Sequence, residues 1–108
     1  APFSISPFRV LYIFSEKNIS PLQTGFAVSA KNFKKAVDRN RIKRLMREAY
    51  RLQKSILTEA LKKHGKFMYV FFIYTGNEIP GHKEVTEKMQ SALIRLNKIA
   101  DEAIAANT

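Results

Sequence analysis

The nineteen residues from Lys35 to Gln53 read KAVDRNRIKRLMREAYRLQ and combine two patterns in one segment. Apolar side chains recur three or four residues apart, which places them on one side of an α-helix. The stripe comprises Ile42, Leu45, Met46, Ala49, Leu52 and Ile56. Asp38 suits the first turn, where a carboxylate meets the positive end of the helix dipole. The segment predicts a helix that continues to about Lys63, with a break near Ser55 and a stop at Gly65.

The opposite side of this helix is densely cationic. From Lys31 to Lys54 the sequence holds ten of the 19 basic residues and two of the nine acidic ones, so this segment carries +8 of the formal +10. The rows at helical spacing are Arg39, Lys43, Arg47 and Arg51, then Asn40 and Arg44 beside them, with Arg41 further around. A cationic row that is fixed to a core by its apolar side is a rigid surface for a polyanion.

The charge pattern argues against two other uses of this basic surface. A solvated helix face normally mixes both signs of charge, because like charges four residues apart repel, and here only Asp38 and Glu48 oppose the cations. A membrane-surface helix would need its apolar side for lipid, whereas the core needs that side here. The charge pattern therefore favours binding to a nucleic acid.

The segments that precede the helix predict strands. A short extended piece, Phe3–Ile5, is followed by Phe8–Phe14, in which alternate residues from Phe8 share one face. Gly25–Ala30 reads as the next strand, and the polar connection Glu16–Gln23 joins the two. Because strands so close in sequence usually pair, we expect these two to be antiparallel neighbours.

The segments that follow the helix complete an α+β pattern. Phe67–Thr75 is almost entirely apolar and predicts a central strand that is covered on both faces. A last helix is expected from about Lys83 to Ala105. Its buried stripe comprises Val85, Met89, Ala92, Leu93, Leu96, Ile99 and Ala103. The element order predicts a small antiparallel or mixed sheet packed with helices in a two-layer sandwich.

Length and composition exclude several classes of protein. A chain of 108 residues predicts a single domain over residues 1–108. The absence of cysteine excludes disulfides and thiolate metal sites and fits a reducing cytosol. No apolar run approaches the ~20 residues of a membrane helix, and the N-terminus has no signal-peptide pattern. Because the sequence begins at Ala1, we expect an N-terminally truncated chain.

The titratable residues do not form a catalytic pattern. His64 and His82 lie far apart in sequence, in helix-end or turn contexts. The nine acidic residues show no cluster typical of a two-metal nuclease, and Glu84 is spaced to pair with Lys88 on a helix. We therefore predict no catalytic residue and no metal ligand in this chain.

The run Ala36–Arg51, AVDRNRIKRLMREAYR, resembles the signature of the bacterial ribonuclease P protein component. The core of that signature is RNR-I-K-R followed by R-E-A-aromatic-R. Val10–Tyr12 is similar to the family's VLY strand, and Gly25–Lys31 to its next strand and basic loop. Phe67–Tyr74 stands where the family has an apolar strand. The resemblance covers nearly the whole chain, and the RNR block is its specific part.

The resemblance implies the protein subunit of a ribonucleoprotein that removes the 5′ leader from precursor tRNA. A catalytic RNA would perform the hydrolysis with Mg²⁺ bound through the RNA, so the protein side chains would hold no cofactor. The implied contacts to the catalytic RNA are Arg39, Asn40, Arg41, Lys43, Arg44, Arg47 and Arg51, extended by Lys31, Lys34 and Lys35. Tyr12, with Phe8 and Val10 on the same strand face, would line a cleft for the leader, or Tyr12 would pack in the core.

The resemblance also implies a bacterial cytoplasmic protein, without a membrane or DNA partner and monomeric without RNA. The family usually begins with a basic helix that walls the leader cleft, and this sequence lacks it. Many members carry glycine in the loop that here reads Lys31-Asn32-Phe33-Lys34-Lys35. The rival interpretations are a general RNA- or ribosome-binding domain, a DNA-binding regulator that uses the helix in a major groove, and a nuclease that acts alone.

Overall fold

The structure is a computed structural model that describes residues 2–15 and 20–106, with side chains through residue 103. Its elements in chain order are β1 (Pro2–Ile5), β2 (Phe8–Ser15), β3 (Leu22–Val28), α1 (Ala36–Gln53), α2 (Ser55–Lys63), β4 (Phe67–Tyr74) and α3 (His82–Ala106). Part of the predicted connection between β2 and β3, residues 16–19, lies outside the described residues. The elements confirm the predicted α+β class.

The sheet has four strands in the order β1-β2-β4-β3 and is mixed. β2 runs antiparallel to β4 from Phe8 opposite Tyr74 to Ser15 opposite Phe67, and β3 runs parallel to β4. The expected pairing of β2 with β3 is therefore wrong. β4 lies between them, because the most apolar strand takes a central position and the two helices α1 and α2 supply the crossover that a parallel pair requires.

The helices pack against one face of this sheet, which we call the covered face. Its core contains Phe8 and Val10 of β2, Phe72 of β4, Met46 of α1 and Met89 of α3. The prediction that β4 is covered on both faces is wrong within the described residues, since its burial alternates and Tyr69 and Phe71 are exposed. We call the opposite side the open face. The sheet therefore has one face covered by helices and one face exposed, which is the two-layer arrangement that the element order predicted.

The helical segment divides as the sequence predicted. α1 ends at Gln53 and α2 begins at Ser55, and α2 stops before Gly65, whose φ of 64° favours glycine. Leu52 and Ile56, however, are 72% and 71% exposed and do not belong to the buried stripe. Tyr50 is buried instead, which turns the buried side of α1 away from Leu52.

The predicted stripe of α3 is confirmed from Val85 to Leu96, but Ala103 is only half-buried, and Ala100, which the prediction omitted, is fully buried. Val85, Met89, Ala92, Leu93 and Leu96 are buried, and Ile99 packs against the core at partial exposure. No helix within the described residues is both long and apolar enough to cross a membrane.

Candidate nucleic-acid interface

The inner side of α1 fixes this helix firmly to the sheet. Ile42, Met46 and Ala49 are buried in the core, and Tyr50 packs its ring against Phe26 of β3 with centroids 5.5 Å apart. The Thr24 hydroxyl donates a hydrogen bond of 2.6 Å to the Tyr50 hydroxyl oxygen. Burial raises the pKa of Tyr50, and the bond from Thr24 opposes that rise. The outer side of α1 therefore has a fixed position relative to β3.

The outer side of α1 presents most of the predicted RNA contacts to solvent. Exposed side chains comprise Asn40, Arg41, Arg44, Arg47 and Arg51, together with Lys31, Lys34 and Lys35 in the preceding loop; Lys43 is half-buried. Arg47 also lies over the ring of Phe26, with Cζ 6.0 Å from the centroid. At ~1.5 Å per residue, the 18 residues of α1 form a helix about 27 Å long, and its cations from Arg39 to Arg51 extend over about 18 Å of it.

Arg39 differs from the other arginines of α1. Its side chain is half-buried, and one guanidinium nitrogen, Nη1, donates hydrogen bonds of 2.6 Å to the Phe33 carbonyl and 2.9 Å to the Lys34 carbonyl. The guanidinium therefore reaches back over the loop that precedes α1. Helical spacing placed Arg39 in a row with Lys43 and Arg47, but spacing does not reveal where a long side chain ends.

The predicted leader cleft requires a correction. Phe8 and Val10 are fully buried between the sheet and the helices, so neither side chain can contact a ligand at the surface. The reason is that the alternate residues from Phe8 form the covered face. Tyr12 is half-buried on that same face, between the rings of Phe3 and Phe14 at 6.1 and 6.3 Å.

The open face carries aromatic residues that the sequence prediction missed. A depression of about 420 Å³ lies over it, lined by residues that include Leu11, Ile13, Gln23, Gly25, Tyr69 and Phe71. Gly25 leaves room for the neighbouring ring, since a Cβ there would lie 2.5 Å from Cε2 of Phe71. Exposed aromatic rings beside such a depression can stack on unpaired bases. The available signal was the period-2 alternation of β4, in which Tyr69 and Phe71 fall opposite Phe72.

The described side chains show no arrangement for metal-dependent hydrolysis. Within residues 2–15 and 20–103, no group of three or more His, Asp or Glu side chains could hold a metal ion. His64 follows α2 and His82 begins α3, and both are exposed. The described residues form two exposed surfaces, one cationic on α1 and one aromatic on the sheet.

Comparisons with known proteins point to one family. The sequence model of the family Ribonuclease P matches residues 3–97. The ribonuclease P protein component of Porphyromonas gingivalis strain W83 is 38% identical over 95 residues, which is 87% of this chain and 69% of the relative. That of Chlorobaculum tepidum is 66% identical over 41 residues, covering 38% of this chain and 27% of the relative.

A solved structure shares the fold. The RNase P protein of Staphylococcus aureus superposes with a TM-score of 0.67 at 21% sequence identity, covering 91% of this chain and 81% of that one. The superposition supports the arrangement of the four-stranded sheet and its helices.

Proposed function

We propose that this chain, which belongs to the ribonuclease P protein family, is the RNA-binding subunit of ribonuclease P. In this role it assists a catalytic RNA that removes the 5′ leader from precursor tRNA by endonucleolytic hydrolysis. The observation that carries the proposal is the outer side of α1, where a fixed helix presents exposed arginines in rows. A rigid set of cations loses less conformational entropy on binding a phosphate backbone than a flexible basic tail would.

In this proposal the chemistry belongs to the RNA. Hydrolysis of a phosphodiester needs charge stabilisation at the attacking and leaving oxygens, which bound Mg²⁺ supplies. The acidic residues among the described side chains do not come together as ligands for such an ion. The RNA would hold Mg²⁺ through its phosphates, and α1 would neutralise part of the charge of the folded RNA.

The leader is proposed to lie on the open face rather than near Phe8 and Val10. The leader is single-stranded, so its bases are free to stack on Tyr69 and Phe71. Both rings stand on β4, which is held between two strands, so the platform keeps its shape without a ligand. We further propose that the protein acts in the bacterial cytoplasm. We also propose that it is monomeric until it binds RNA, and sedimentation of the purified chain would test its oligomeric state.

The test is reconstitution with a bacterial ribonuclease P RNA and precursor tRNA at low Mg²⁺. The chain should enhance cleavage at the mature 5′ end, and the double variant Arg41→Ala/Arg44→Ala should lose most of the enhancement. The matched control, Lys62→Ala/Lys63→Ala, removes the same charge from exposed positions at the end of α2 and should retain it.

A general RNA- or ribosome-binding domain is the second candidate, and the same cationic surface would serve it. Such a domain would bind the catalytic RNA without enhancing cleavage, and the control variant would weaken binding as much as the double variant does. That pair of results would contradict the proposed function.

A further inference from the structure

We propose that Arg39 is a positioning residue, which locks the basic loop of residues 31–35 so that its three lysines face the RNA together. This inference rests on the proposed function, because it concerns how part of the RNA-binding surface is built. In this role Arg39 supports Lys31, Lys34 and Lys35 rather than contacting the RNA directly, as the family resemblance implied.

The Arg39 side chain is bonded to the backbone of the loop that precedes α1. Nη1 donates both of its hydrogen bonds to loop carbonyls, those of Phe33 and Lys34, at 2.6 and 2.9 Å. A guanidinium bonded to a carbonyl makes a charge-assisted hydrogen bond, which is stronger than a neutral one. These two bonds join the fourth residue of α1 to the loop and fix the peptide units on either side of Lys34.

The loop is held on its other side as well. The Asn32 amide Nδ2 donates to the Thr75 carbonyl at 3.3 Å and to the Gly76 carbonyl at 3.2 Å, which ties the loop to the end of β4. Phe33 is buried and packs against the Tyr74 ring, with centroids 6.0 Å apart. Its backbone N–H donates to the Ser29 carbonyl at 3.1 Å.

Two residues of this short segment, Asn32 and Phe33, therefore anchor it to the rest of the protein. Phe33 is buried, and the Asn32 side chain, although exposed, bonds back to the two carbonyls that follow β4, whereas Lys31, Lys34 and Lys35 extend from exposed positions. Anchors from three sources, β4, the core and α1, hold the backbone between them. A loop fixed in this way has already lost the entropy that a free loop would lose on binding RNA.

The arrangement has an electrostatic cost that the anchors oppose. Lys34, Lys35 and Arg39 all lie at the N-terminal end of α1, where the helix dipole disfavours cations. Lys35 occupies the N-cap position and makes no capping hydrogen bond with its side chain. The two carbonyls offset the cost for Arg39, but the exposed lysines keep theirs. A bound polyanion would offset the electrostatic cost of the exposed lysines, which is consistent with their serving as contacts to RNA.

The experiment is a double-mutant cycle on the affinity for a bacterial ribonuclease P RNA at one salt concentration. Arg39→Ala is measured in the wild-type chain and in the chain with Lys31→Gln, Lys34→Gln and Lys35→Gln. If Arg39 acts through the lysines, its loss should weaken binding about tenfold in the first background and less than about twofold in the second. Arg41→Ala, an exposed arginine of the same helix, should weaken binding equally in both backgrounds.

A second readout does not depend on RNA. Amide hydrogen exchange of residues 31–35 in the free chain should become faster in Arg39→Ala and in Asn32→Ala, and should not change in Arg41→Ala. Asn32→Ala loosens the same loop without altering any charge, so it replaces Arg39→Ala if that variant does not fold.

The outcomes separate this inference from the proposed function. An equal loss from Arg39→Ala in both backgrounds, with unchanged exchange of the loop, would overturn the positioning role and make Arg39 a direct contact. Failure of the wild-type chain to bind the RNA would instead contradict the proposed function, while the exchange measurement would still decide whether Arg39 and Asn32 lock the loop.

Discussion

Phe71 and Phe72 are neighbours in β4, yet Phe71 is 44% exposed and Phe72 is fully buried. Phe72 lies on the covered face, stacked on Phe26 with centroids 5.7 Å apart. Phe71 lies on the open face beside the depression lined by Tyr69 and Gly25. Phenylalanine therefore stabilises the core on the covered face, at Phe72, and forms part of an exposed aromatic surface on the open face, at Phe71. The amino-acid type alone does not distinguish these two roles. They differ because the helices cover only one face of the sheet.

The largest expected effect tests the covered face. Phe72→Ala should lower the free energy of unfolding by about 3–5 kcal/mol, because it leaves a cavity in a packed core. Phe71→Ala should lower it by about 1 kcal/mol or less, since its ring is already partly hydrated. Urea denaturation followed by circular dichroism measures both. Equal losses would show that the two faces do not differ in the way described.

The next effect tests the open face by its binding. Tyr69→Ala and Phe71→Ala should each weaken the affinity of the holoenzyme for precursor tRNA by about tenfold, since base stacking on an aromatic ring contributes ~1–3 kcal/mol. The affinity for mature tRNA, which has no leader, should not change. An equal loss of affinity for both tRNAs would show that the leader does not bind to the open face.

A smaller effect compares the open face with the outer side of α1. Arg41→Ala and Arg44→Ala should each weaken binding to the catalytic RNA several-fold at low salt and leave the melting temperature nearly unchanged, because both side chains are exposed. The loss of affinity for the catalytic RNA should shrink as salt rises. The loss of affinity for precursor tRNA in Phe71→Ala should not depend on salt. A fall in melting temperature would instead make these arginines structural.

The smallest effect concerns the fit between β3 and β4 on the open face. In Gly25→Ala the new Cβ would meet Cε2 of Phe71 at 2.5 Å, so the ring must move. We expect a loss of about 1 kcal/mol in the free energy of unfolding, of the size that overpacking causes. The loss should disappear in the Phe71→Ala background. A loss that persists there would point to the backbone of β3 rather than to the ring.

The elements of this fold follow from local patterns, and their pairing does not. The break before Ser55 and the stop at Gly65 were confirmed because short-range spacing and backbone conformation determine them. The neighbour of β3 was not predicted, because strand order depends on which strand the whole chain places at the centre. Alternation separates Tyr69 and Phe71 from Phe72, but it could not show which of the two sides of β4 is open, since both are apolar in sequence.

The candidate site shows the same division. Helical spacing predicted the outward positions of Arg44, Arg47 and Arg51, because the apolar stripe fixes the opposite side, but Arg39 and Lys43 of the same rows are half-buried. It did not predict that Tyr50 is buried in place of Leu52, which depends on Thr24 and Phe26 of a distant strand. Nor did it predict the contacts of Arg39, since these depend on the path of the preceding loop.

The central claim is that the outer side of α1, with its basic loop, binds the phosphate backbone of the catalytic RNA. The most direct test measures the affinity of the chain for that RNA across a series of salt concentrations. If about six phosphates are neutralised, log K should fall against log salt with a slope of roughly −4 to −5. A slope near −1 would contradict the claim, because it would mean that the cations of α1 stay solvated when the RNA is bound.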